Sequence, residues 1–357
     1  MTEISKSKKK NYSIGIGIMS GTSLDGIDLA ICQFSETYSF DILHFKTVDY
    51  DDSWRKKLQF AHQLSGIELR GLEINYSRYT AEIVLNFLKE RQINVDFMAC
   101  HGHTIFHQPE KGITYQMIDG SILAALTGIT TVCDFRSGDV ALGGQGAPLV
   151  PIGDGLLFSD YEVCLNLGGF ANMSFMQSHR RIAYDISPAN LLLNELANRE
   201  GFDYDKNGDL ARSGKIITPL LEKFNALDYY AEAPPKSLGR EWLEEKIFPH
   251  LKGESNSDLL ATSVAHISDQ IGKALNASSN FGKVLVTGGG VHNEYLIECI
   301  SAKTKLKIEI PSLDIIDAKE ALVFALLGKL RLEEKTNILA SVTGANRDSC
   351  GGSVYRI

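Results

Sequence analysis

An apolar stretch, a glycine-bearing turn, two more apolar stretches, a helical segment and a further apolar stretch follow one another twice along this chain. In the first half, IGIGIM (14–19) predicts a strand and SGTSLDG (20–26) a turn. IDLAICQF (27–34) and DILHFKTV (41–48) predict two more strands. A helix is predicted over 72–92, where Ile74, Ile83, Val84, Phe87 and Leu88 fit the i, i+3, i+4 spacing. VDFMAC (95–100) is a strand ending at His101. The second half repeats the order with EVCLNL (162–167), the turn Gly168-Gly169, FANMSFM (170–176), RRIAYDI (180–186) and a helix over 190–200, for which Ser187 offers an N-cap and Pro188 an N1 residue. A long helix near 257–279, a strand KVLVTG (283–288) and a helix near 317–335 complete it. Such alternation gives layered α/β domains with mixed sheets. The 357 residues exceed what one core usually supports, so two domains are expected. The boundary is placed near 133, after TTVC and before a loop over 134–151. The domains are then 1–133 and 134–357, with the last twenty residues returning to the first. Glycine turns at matched positions in both halves predict a cleft where both meet one ligand.

Several function classes are disfavoured by composition. A net charge of -8 opposes nucleic acid or an anionic membrane surface as partner. No run of about 18 apolar residues is present to span a bilayer. The six cysteines form no CxxC pair, and several stand in apolar runs, which predicts buried reduced thiols and a reducing, cytoplasmic compartment. The lysine-rich start, MTEISKSKKK, reads as a solvated end.

Three glycine loops carry the chemistry. In Gly21-Thr22-Ser23-Leu24-Asp25-Gly26, the glycines let backbone N–H groups close on an anion, and an acid such as Asp25 suits a magnesium ion. Neither GxxxxGK[ST] nor GxGxxG is present, so neither a Walker A loop nor an NAD site is expected. The second loop is Gly168-Gly169 with Asn172, and the third is Gly288-Gly289-Gly290 between a strand and a helix. Three such loops in this order, each after an apolar strand, match the two phosphate motifs and the adenosine motif of the actin/hexokinase-like superfamily.

The strings MSGTSLDGID (19–28), DFRSGDVALGGQGAPLVP (134–151), NLGGFANMS (166–174), PPKSLGRE (234–241), VTGGGVHN (286–293) and VTGA (342–345) resemble the signature blocks of the anhydro-N-acetylmuramic acid kinases. The resemblance implies a duplicated ribonuclease H-like fold with an interdomain cleft, ATP and Mg²⁺ as cofactors, and a homodimer. It also implies the reaction. 1,6-Anhydro-N-acetylmuramic acid is phosphorylated while water opens its anhydro ring, giving the 6-phosphate in cell-wall sugar recycling. The implied nucleotide site comprises Gly21, Thr22, Ser23, Leu24, Asp25, Gly26, Ile27, Asp28, Gly168, Gly169, Asn172, Gly288, Gly289 and Gly290, with Asp25 on the metal.

Asp185 is the implied general base, a carboxylate of ordinary pKa that ends the strand RRIAYD. The family's DTGPGN reads here as Asp185-Ile186-Ser187-Pro188-Ala189-Asn190, and the lost glycines bear on loop geometry. Arg136 and Asp139 are expected at the sugar, with the guanidinium fork suited to its lactyl carboxylate. Glu320, opening the last long helix, is expected at sugar hydroxyls. Lys236 and Arg240 flank the PPKSLGRE turn. The family's HGQT is His101-Gly102-His103-Thr104 here, and its QIGDG is Gln116-Met117-Ile118-Asp119-Gly120. HxHxxxH (101–107) lacks the glutamate of a zinc-protease helix, so a zinc site is not expected. These departures leave open another amino or anhydro sugar as substrate, or a binding protein without turnover.

Overall fold

A computed structural model describes residues 12–21 and 23–357. The lysine-rich start and Thr22 lie outside the described residues. The chain divides into two compact units, one ending at Leu157 and resumed over Asp317–Ile357, the other Phe158–Ile316.

In the first unit the strands are β1 (Tyr12–Met19), β2 (Gly26–Ser35), β3 (Phe40–Asp49), β4 (Phe97–Cys100), β5 (His103–Gln108), β6 (Ile113–Met117) and β7 (Thr131–Cys133). Its main sheet runs β3-β2-β1-β4-β7 and ends on the strand Ser353–Tyr355, while β5 and β6 form a separate ribbon. β2 is antiparallel to β1, whereas β4 and β7 run parallel to it. The second unit holds β8 (Val163–Leu167), β9 (Phe170–Gln177), β10 (Arg180–Pro188), β11 (Lys283–Thr287) and β12 (Lys307–Glu309). Its order, β10-β9-β8-β11-β12, repeats the same 3-2-1-4-5 pattern with the second strand antiparallel. That duplication is the ribonuclease H-like arrangement of the actin/hexokinase-like fold.

Each unit has its own core. In the first, Ile16, Ile18, Leu29 and Ile31 of the central strands share a cluster with Tyr76, Val84 and Phe87 of the helix Gly66–Arg91. In the second, Val163, Leu165 and Val286 cluster with Leu260, Val264, Ile267, Ile271 and Leu275, one face of the helix Asn256–Ser278.

Sequence and structure part at four places. The first long helix begins at Gly66, six residues early, because Ser65 and Glu68 form a capping box. The S-x-x-E spacing at 65–68 is its signal in the sequence. The segment 134–151 contains the helix Ser137–Ala141 and the start of Val150–Leu157. It counts with the first unit, so the units divide at Leu157 rather than at the expected 133. The physical reason is packing. Gly153 abuts Val323, and the buried ammonium of Lys319 pairs with Asp154 at 2.9 Å. Ser187 and Pro188 belong to β10 and do not cap the next helix, whose N-cap is Ala189. Finally, the last long helix starts at Leu313, so Glu320 sits in its interior and not at its N-terminus.

Gly17 lets that helix lie on β1. A Cβ there would stand 1.8 Å from the Ala321 carbonyl oxygen. Gly17→Ala is therefore expected to lower stability by about 1–3 kcal/mol, the usual range for overpacking. Denaturant unfolding measures it, and an unchanged midpoint would contradict this packing.

Candidate active site

The loop between β1 and β2 is tied down at both ends. Ser20 Oγ donates to the Gly102 carbonyl (2.9 Å) and accepts from Tyr76 Oη (3.0 Å), which also lies 2.7 Å from Tyr50 Oη. The Tyr50 N–H donates to the Asp25 carbonyl (3.0 Å). Between these ties Leu24 takes a left-handed φ of 62°. Ser23 and Asp25 are exposed, Gly21 and Gly26 half-buried, and Ile27 fully buried in the core. Asp28 accepts from Thr47 Oγ1 at 2.6 Å. Burial pushes its carboxyl above the usual range, the Thr47 bond opposes this, and the charges of Asp317 and Asp25 add to it.

Glu320 belongs to the same acidic neighbourhood. Its side chain is exposed, and the protein packed around the carboxyl raises its pKa, with Asp28 adding to the rise and Lys319 and Arg136 opposing it. Arg136 donates through Nε and Nη2 to His101 Nε2 (3.1 and 2.8 Å) and through Nη1 to the Gly146 carbonyl (2.6 Å). Three of its five N–H donors are thus engaged, leaving two for a ligand. Burial, then the Arg136 charge, push His101 down to about 3, so its ring is neutral and accepts at Nε2. Asp139 is fully buried. It accepts from Gly146 N–H (2.8 Å) and Thr343 Oγ1 (2.7 Å). Both carboxylate oxygens are engaged, so Asp139 holds the 139–146 loop rather than facing a sugar. Asp119 is likewise committed, capping the helix Gly120–Thr127 and pairing with Arg70.

Of the three histidines of 101–107, His101 hydrogen-bonds Arg136 and feels the charge of His103, while His107 lies 3.1 Å from Thr114 Oγ1 and feels the charge of Arg136. Among the described residues, no group of three or more His, Cys, Asp or Glu side chains is placed to hold a metal ion.

In the second unit, Asn166, Asn172 and Asp185 are register partners across β8, β9 and β10, so the three side chains line one face. The glycine turns meet there. Gly168 and Gly169 carbonyls accept the N–H groups of Asn190, Ala189 and Leu191, and Asn190 Nδ2 donates to the Leu167 carbonyl (3.0 Å). Gly288 has φ 86°, and a Cβ on it would stand 2.6 Å from Asn166 Oδ1. The loop at 288–290 therefore lies directly against the 166–168 turn, and a Cβ on Gly289 would meet Asn190 Nδ2 at 3.8 Å.

Asp185 is half-buried and held on three sides by the 229–238 segment. Its N–H donates to the Lys236 carbonyl (3.2 Å), its carbonyl accepts from Tyr229 Oη (2.5 Å), and Oδ2 accepts from the Leu238 N–H (2.9 Å). Lys236 Nζ closes the circuit on the Tyr229 carbonyl (2.8 Å), over the Tyr229 ring. Arg240, by contrast, pairs with Glu244 on the surface. Burial pushes the Asp185 carboxyl above the ordinary range expected of it, and the Leu238 N–H opposes the shift. The bulge at 185–187 turns Ile186 into the core. Ala189 has φ -140°, and no residue over 186–189 needs a left-handed backbone, so the loop closes without the family's glycines. The Tyr229 contact has no local signal, because 44 residues separate it from Asp185.

Comparison with known proteins places this arrangement. The sequence profile of the anhydro-N-acetylmuramic acid kinases matches residues 13–357. A protein of that description from Nitrosomonas europaea is 36% identical over 372 residues, covering 95% of this chain and 99% of its own. One from Aliivibrio fischeri is 36% identical over 369 residues, covering 95% and 98%. With a match over nearly its whole described length, the chain belongs to the anhydro-N-acetylmuramic acid kinase family and is a sugar kinase.

Proposed function

We propose that the chain transfers the γ-phosphoryl group of ATP to 1,6-anhydro-N-acetylmuramic acid, with water opening the anhydro ring to give N-acetylmuramic acid 6-phosphate. The observation that carries the chemistry is Asp185. One carboxylate oxygen is fixed by Leu238 N–H, the backbone is fixed on both sides, and the other oxygen remains to take a proton. In the reaction a water oxygen bonds to the anomeric carbon and its proton passes to Asp185. The bond from that carbon to the anhydro oxygen breaks, and this oxygen takes the phosphoryl group as ADP leaves.

The nucleotide is assigned to Gly21, Thr22, Ser23, Leu24, Asp25, Gly26 and Asp28, with Gly168, Gly169, Asn172 and Gly288–Gly290; Ile27, expected with them, is fully buried in the core and backs the loop from inside. Asp25 is assigned to Mg²⁺, with Asp28 beside it. The charges of Asp25 and Asp317 acting on the Asp28 carboxylate are consistent with a cation there, and Mg²⁺ usually takes one or two carboxylates with phosphate oxygens and waters. When bound, the ion neutralises charge on the transferring phosphoryl group. Arg136, with two free donors, is assigned to the lactyl carboxylate, and Glu320 to sugar hydroxyls. Asp139 acts through the loop that it shares with Arg136. A homodimer working in the cytoplasm, recycling cell-wall sugar, belongs to the same reading. The family match supports it, and none of the six cysteines, four of them buried, stands in a disulfide. No helix among the described residues is long and apolar enough to cross a membrane.

The test is a product assay with ATP, Mg²⁺ and a panel of anhydro and ordinary amino sugars in ¹⁸O-labelled water. The expected product is one 6-phosphate carrying a single solvent oxygen at the anomeric carbon. A phosphorylated sugar without solvent oxygen would mean simple transfer to a hydroxyl.

A further inference from the structure

The segment that holds Asp185 has little regular structure of its own. Residues 232–239 belong to no helix or strand, and 231–235 are exposed. Before them stands the single turn Asp228–Ala231, which carries Tyr229 and Tyr230. The two rings are nearly perpendicular, with centroids 5.7 Å apart, and both lie against Trp242. Tyr229 Oη goes to the Asp185 carbonyl, whereas Tyr230 Oη goes to His266 Nε2 at 2.8 Å. His266 lies on the helix Asn256–Ser278 and is fully buried, with its ring edge-on to Tyr230 and Phe224. Its Nδ1 lies 2.7 Å from Oδ1 of Asn225, which ends the helix Thr218–Asn225. Gln270 Nε2 donates to the same oxygen (2.7 Å), and Asn225 Nδ2 donates to Asp269 Oδ2 (3.1 Å). Lys303 Nζ pairs with Asp269 Oδ1 at 2.7 Å.

These partners fix every proton in the chain of bonds. A carboxylate only accepts, so the Asn225 amide turns its nitrogen to Asp269 and its oxygen to His266. His266 then carries its proton on Nδ1 and accepts at Nε2, and the Tyr230 hydroxyl donates to it. Burial pushes the imidazole down to about 3, with the Asp269 charge opposing and the Lys273 charge adding, so the ring is neutral at working pH. Stability alone does not call for this network. Val264, Ile267 and Ile271 beside it are core residues, and replacing both members of a buried polar pair by apolar groups of like shape is nearly neutral. What a fully satisfied network supplies is one orientation. Here it orients the turn from which Tyr229 reaches Asp185 and on whose Tyr229 carbonyl Lys236 Nζ is anchored. We infer that His266 and Tyr230 are positioning residues for the general base: they hold the turn Asp228–Ala231 so that Tyr229 Oη, the Lys236 carbonyl and the Leu238 N–H meet Asp185 together. The inference rests on the assignment of Asp185 as base and adds what holds that base in place.

The experiment measures kcat and KM for Tyr230→Phe, His266→Phe and His266→Gln, each alone and combined with Asp185→Asn, using ATP, Mg²⁺ and 1,6-anhydro-N-acetylmuramic acid. Tyr230→Phe removes one hydroxyl, and His266→Phe keeps a ring without its nitrogens. Both are expected to lower kcat by at least about tenfold, within the factor of about 100 that a misplaced reacting group costs. KM for ATP and sugar should stay within about threefold of wild type, since the effect passes through the base alone. Glutamine keeps an acceptor for the Tyr230 hydroxyl, so His266→Gln should recover most of the loss. On the Asp185→Asn background the base is already gone, and either Phe variant should cost less than about threefold more, because residues that act as a unit are not additive. Thermal melting checks that each variant folds. If His266→Phe does not fold, Tyr230→Phe decides alone. A fall in kcat of less than about tenfold in Tyr230→Phe overturns the inference. So does an equal loss with and without Asp185→Asn, the mark of a general structural effect, and so does a rise in KM in place of the fall in kcat. In those cases Asp185→Asn by itself still loses activity, and the base reading stands. If Asp185→Asn is fully active, the base reading fails and the positioning role falls with it.

Discussion

Asp185→Asn is expected to lower kcat by at least about 100-fold, with KM for ATP and sugar close to wild type. Asparagine keeps the size and the hydrogen bond from Leu238, but it cannot take a proton from water. The direction of the Asp185 pKa adds two consequences. Activity needs the carboxylate, so kcat should fall as the pH drops through a value above that of an ordinary aspartate. Stability follows the opposite sign. The folded-state pKa is raised above the unfolded one, so the native state holds the proton more tightly. The stability this lends is complete below the unfolded pKa, about 4, and is lost as the pH rises through the folded one. Asparagine imitates the neutral form at every pH. The variant should therefore melt no lower than wild type at pH 7 while being nearly inactive, a combination that a structural role for Asp185 does not produce. Pre-steady-state kinetics and thermal melting on the same preparations measure both. Full activity in the variant would move the base elsewhere, and Glu320 is the first acid to test, since it is accessible and also has a raised pKa.

The two halves of the fold were legible because a 3-2-1-4-5 sheet leaves local marks: apolar strands with glycine at the first hairpin and a helix before the fourth strand. The glycine loops were legible for the same reason. What escaped was decided by contacts distant in sequence. The 134–157 stretch reads as a polar, glycine-rich connection, yet Asp154 is drawn to Lys319, far along the chain. Asp139 reads as an acid available to a ligand, and only Thr343 and the Gly146 N–H, which face it in the fold, show that it is taken. Asp185 was found through a motif, but its support by Tyr229, Lys236 and Leu238 was invisible, since nothing local marks a turn that folds back over a strand. The same distance effect raised its pKa. The glycine losses at 187 and 189 leave the loop intact, because the backbone there takes no positive φ.

Arg136→Met is expected to reduce kcat/KM for the lactyl-bearing sugar by about 100-fold, from the loss of charge-assisted hydrogen bonds worth about 1.5–3 kcal/mol each. The guanidinium has two tasks that must be separated. Three of its N–H groups bind His101 and the Gly146 carbonyl, which is structural, and two are left over. Burial pushes its pKa down to about 10, so it stays charged at neutral pH, and the nearby charges of Glu320 and Asp139 help to keep it so. A charge held half-buried with spare donors is suited to a carboxylate arriving from solvent. A substrate without the lactyl group, 1,6-anhydro-N-acetylglucosamine, removes only the second task. If Arg136 reads the carboxylate, the variant should lose about 100-fold on the lactyl sugar and less than about tenfold on the other. Equal losses on both sugars would make Arg136 a brace for the 139–146 loop and leave the carboxylate to another cation. Arg136→Lys sharpens the distinction. Lysine keeps the charge but cannot span His101 and Gly146 while also presenting a fork, so it should recover only part of the discrimination.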